Sequence, residues 1–75
     1  MNDIGQKVYD ILKSELSDIT AKSILAVKCK EIGKDPDTIT FEDVKNLKPL
    51  LLSGVLLYGG EEKAKAIKEK LEKLH

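Results

Sequence analysis

The stretch from Leu47 to Gly60, LKPLLLSGVLLYGG, constrains the fold more than any other. No charged residue occurs between Pro49 and Tyr58, in a chain that is 35% charged. A helix apolar on every side has to be enclosed on every side. The wrapping has to come from other segments of this chain or from a second copy of it. Short of the roughly 20 residues a bilayer crossing needs, the run predicts no membrane span.

The 75 residues predict one domain, 1–75. A chain of this size buries only about 60% of the surface its unfolded form exposes, so every buried side chain counts. Hydrophobic residues make up 41%, enough for a packed core. Thirteen basic residues against thirteen acidic ones leave a formal net charge of zero, and every basic residue is Lys. A neutral surface lacks the clustered basic excess of nucleic-acid or anionic-membrane binders. Without Arg there is also no planar fork for phosphates or guanine edges. One cysteine, Cys29, excludes an internal disulfide, and Met1-Asn2-Asp3 does not open like a signal peptide. The expectation is a cytoplasmic protein. Its Lys, Glu, Ile and Leu content is one seen in hyperthermophiles, and also in AT-rich genomes.

Periodicity predicts four helices, approximately 3–16, 18–32, 40–58 and 60–74. Ile4, Val8, Ile11, Leu12 and Leu16 recur at three- and four-residue spacing behind a cap at Asn2 or Asp3, with Tyr9 at the edge of the stripe. Ser17 and Asp18 offer cap oxygens to a second helix bearing Ala21, Ile24, Leu25, Val27, Cys29 and Ile32. Gly33 suits the left-handed position that ends a helix. Thr40 with Asp43 forms an approximate capping box for the third. Pro49 lacks an N–H and crowds the carbonyl of Lys45, so the third helix is expected to kink or split near 48–49. Gly59-Gly60 separates it from the last helix, whose Ala64, Ile67, Leu71 and Leu74 form a narrow seam. The fold class is therefore all-α, a small four-helix domain with the third helix kinked or split at Pro49.

Several constellations invite a chemical reading. In the acidic cluster Asp35, Asp37, Glu42 and Asp43, Asp35-x-Asp37 opens like a calcium loop, but the sixth position is Thr40 rather than Gly and the twelfth is Asn46 rather than Glu. Turn and cap chemistry accounts for them. A helix-turn-helix across the second and third helices has too long a connection, and Glu42 and Asp43 would meet the phosphates. The opening Thr40–Val44, TFEDV, resembles the start of the last helix of histone-fold proteins, although the long central helix of that fold is missing. Cys29 has no base beside it, since the lone histidine, His75, ends the chain; a buried structural role is expected. Gly59-Gly60 ahead of Glu61-Glu62 repels an anion rather than cradling one.

These readings leave no expected catalytic residue, cofactor or metal. The function they predict is a non-catalytic interaction module, a small dimerising or adaptor protein that uses the apolar Leu50–Tyr58 helix. Its expected interface residues are Ile24, Val27, Leu52, Val55, Leu56 and Tyr58. Self-association into a dimer is the expected outcome, with a different protein as the other partner class. The alternatives are a DNA-associated helical regulator and a carrier of small apolar ligands.

Overall fold

The structure, a computed structural model, describes residues 1–74; the expectation attached to His75 lies outside them. It contains three helices, α1 (Asp3–Lys13), α2 (Asp18–Glu31) and α3 (Phe41–Glu72), and no strand among the described residues. The all-helical class holds. The helix number does not, because the expected third and fourth helices are one element.

Asn2 caps α1 by accepting the Gly5 N–H on its Oδ1 at 2.8 Å. Val8 and Leu12 are fully buried, and Tyr9 joins them in the core instead of marking the edge. Its ring lies beneath the ammonium groups of Lys13 and Lys22, 5.7 and 6.0 Å from the centroid. Such contacts let cations shield an aromatic face that would otherwise be wet. Ser17 caps α2 through the Thr20 N–H. Ala21, Leu25 and Cys29, spaced by four, form the core face of α2.

Gly33, at φ 74°, closes α2. The Lys34 N–H returns to the Cys29 carbonyl at 2.9 Å and the Gly33 N–H to that of Lys30 at 3.0 Å. This paired pattern satisfies carbonyls that a helix end leaves orphaned. The connection then drops Ile39 into the core at 1% exposure.

Thr40 and Asp43 complete the capping box of α3 from both sides. The helix then passes through Pro49 without leaving helical backbone space, so the expected break there is not found. Val44, Leu47, Leu51 and Val55 form an unbroken buried stripe across the proline. Burying side chains of this size contributes about 1.5–3 kcal/mol each, against roughly 3 kcal/mol for an internal proline. Pro49 and Lys45 both face solvent, where water can take the carbonyl the proline leaves unpaired.

The backbone leaves helical space only at Gly60, within the expected Gly59-Gly60 boundary, with φ 84° and ψ 178°. That region of backbone space is essentially reserved for glycine. One residue reverses the helix without a loop, which is why two expected helices form a single hinged element. Beyond it, Ile67 and Leu71 return to the core, and Lys70 reaches Glu15 at 3.1 Å and Ser14 Oγ at 2.6 Å. Each helix packs on both others around one cluster of buried side chains.

Candidate interaction surface

Burial divides the six residues expected at an interface. Ile24 and Val55 belong to the core, while Val27 and Tyr58 are exposed. Leu52 is half-buried and Leu56 half-exposed. The apolar run of α3 is therefore not wholly enclosed by its own chain.

Val27 and Tyr58 share a groove between α2 and α3 with Ile19 and Leu57 on its rims. Thr20, Ser23, Ile24 and Gly54 lie between those rims, and the trough holds about 260 Å³. The helices approach closely there. A Cβ on Gly54 would sit 3.2 Å from Ile24 Cγ2 and 3.4 Å from Lys28 Cε. Ile19, Val27, Leu57 and Tyr58 are 77%, 53%, 79% and 69% exposed. Lys28 lines one end of the groove and is paired with Glu31 at 3.0 Å; Asp18 adjoins the other end, next to Ile19.

Leu52 and Leu56 point elsewhere. They line an open trough with Pro49 and Ser53 on one side and Ala64, Lys65 and Lys68 on the other, between the two arms of α3. The expected residues thus fall into two apolar surfaces and the core. Sequence reasoning missed Ile19, and it held Leu57 within the apolar Leu50–Tyr58 helix without naming it among the interface residues. The signal was present: Ile19, Ser23 and Val27 repeat by four, two residues out of phase with Ala21, Leu25 and Cys29. At 100° per residue, that offset places them on the opposite side of α2.

The acidic residues act on the backbone. Asp35 Oδ1 accepts the Asp37 N–H at 2.8 Å. Asp43 Oδ2 accepts the Thr40 N–H at 2.8 Å, and this bond first, with Lys34 nearby, holds its carboxyl below the ordinary range. No group of three or more His, Cys, Asp or Glu positioned to hold a metal occurs among the described residues. Cys29 is fully enclosed. Burial, with Asp35 and Asp43 adding to it, pushes its thiol up to about 11, so the reactive thiolate is suppressed. α2, at 14 residues, is not the long central helix of a histone fold.

No protein-family model matches the chain, and no curated protein or solved structure matches it either. No described helix is long and apolar enough to cross a membrane.

Proposed function

We propose that this protein is a non-catalytic helical interaction module, and that the groove between α2 and α3 holds a second copy of the chain. The observation that carries the reading is the exposed apolar quartet Ile19, Val27, Leu57 and Tyr58. Four large apolar side chains this exposed along one groove form a patch rather than scattered single residues, and the largest such patch on a monomer is often functional.

A second copy suits the surface for two reasons. Zero formal net charge means that copies do not repel one another at long range. A two-fold axis across the groove also brings the Asp18 end of one copy toward the Lys28 end of the other, and two-fold pairing is the commonest way such a face is covered. An open trough of about 260 Å³ falls short of the 300–1,000 Å³ typical of small-molecule sites, which favours a protein occupant over a ligand. The single unpaired thiol accords with a reducing, cytoplasmic setting.

Sedimentation equilibrium over a hundredfold range of concentration tests this reading. The native chain is expected to reach dimer mass, and Leu57→Glu and Tyr58→Glu to give folded, soluble monomers. Leu56→Glu, on the other trough, is expected to leave the mass unchanged. A native chain that stays monomeric throughout refutes self-association through this face.

A further inference from the structure

We propose that residues 61–72 form an exchangeable arm hinged at Gly60, whose alternative seat is the equivalent core surface of a second copy of the chain. This goes beyond the groove and does not depend on it.

The first support is the hinge. Gly60 is the one residue within α3 with non-helical backbone angles, and helix continues on both sides without a loop. Rotation about that residue alone converts the bent element into a straight one. A straight α3 of 32 residues would be about 48 Å long at 1.5 Å per residue. The longest dimension of the fold is 29 Å. Straightening therefore has to lift the arm off its own core.

The second is the local sequence. Glu61-Glu62-Lys63-Ala64 contains no further helix breaker, so the straight form is opposed locally only by Gly59 and Gly60, at about 1 kcal/mol each, and otherwise by docking of the arm. The third is the nature of that docking. Ile67 and Leu71 are buried, and Lys70 bonds Ser14 and Glu15 at 2.6 and 3.1 Å. Every one of these contacts is made by side chains that a second copy carries in the same places. An open chain alone exposes its core and its arm; two open chains cover both by trading arms in a closed, two-fold arrangement.

A Cβ at Gly60 meets nothing within 4 Å, so replacing this glycine acts through the backbone alone. Gly60→Ala penalises the bent state and is the natural probe. It is combined with Tyr58→Glu, so that the groove cannot contribute. Sedimentation equilibrium is expected to show at least tenfold tighter self-association than Tyr58→Glu alone. Arm exchange is then read by refolding chains carrying Ser14→Cys together with chains carrying Lys70→Cys and adding a short bismaleimide. Cross-links between the two kinds of chain are expected as the main product. A folded Gly60→Ala monomer, or a dimer without such cross-links, overturns the proposal. If Gly60→Ala does not fold, the same pair of chains with Gly60 retained, refolded together at high concentration, decides. Inter-chain product then supports exchange, and its absence overturns it.

Discussion

Asn2 makes hydrogen bonds in two directions. Its Oδ1 caps α1, while its Nδ2 donates to the Ile39 carbonyl at 2.7 Å and its backbone N–H to that of Pro36 at 3.2 Å. The cap thus fastens the loop that carries Ile39 into the core. Asn2→Ser keeps a cap oxygen but removes the donor to Ile39. Urea denaturation is expected to show a loss of about 1 kcal/mol or slightly more, with an unchanged slope. The cap was legible from residue type; its second partner, 37 positions away, was not. Gly5 shows the same limit. Its helix propensity marks it as a weak point, yet a Cβ there would collide with the Pro36 carbonyl oxygen. Cys29 carries a prediction in pH. The folded thiol, raised from about 9 to about 11, releases its proton less readily than the unfolded one. Its contribution is therefore fully present below the unfolded value and is lost as pH rises from about 9 through 11. Cys29→Ala removes that titration. The stability difference between native and variant is expected to shift by on the order of 2–3 kcal/mol across this window, measured by denaturation at stepped pH.

At the scale of the element, Gly60 interrupts the helix as its chemistry suggests, while Pro49 does not. Proline is the stronger helix breaker, yet α3 runs through it and reverses at the glycine. Val44, Leu47, Leu51 and Val55, spaced by three and four, form the buried stripe that overrides Pro49. Tyr58, three residues beyond Val55, continues that spacing, yet it lies in the groove and is exposed. Spacing reports which residues share a face but not which face finds a partner. That depends on where α3 turns back, a property of one dihedral pair at Gly60. If burial is what carries the helix across the proline, Pro49→Ala should stabilise the fold, by about 1 kcal/mol and at most ~3 kcal/mol. Thermal or urea unfolding of the variant checks this, and a loss of stability would mean that the proline shapes the packing after all.

For the whole molecule, small size and an apolar surplus act together. At roughly 0.05–0.15 kcal/mol per residue, a chain of 75 residues has a margin of about 4–11 kcal/mol. It spends apolar residues generously, leaving Ile19, Val27, Leu57 and Tyr58 outside its own core. The all-helical class was legible from the three- and four-residue spacing, and the presence of a surplus from the uncharged run. Its location on α2 as well as α3 was not, because only the packed helices bring Ile19 alongside Leu57. The surrounding charges add little to stability: Lys22–Asp18, Lys28–Glu31, Lys34–Asp43 and Lys70–Glu15 are surface ion pairs worth at most about 1 kcal/mol each. One enclosed side chain turns this economy into something observable. Because the only thiol in the chain is closed to solvent, an alkylating reagent can mark the protein only during the moments when the wall around Cys29 opens. The labelling half-life is a clock built into the native sequence, and whatever occupies the groove should slow it in proportion to the fraction of molecules it holds shut.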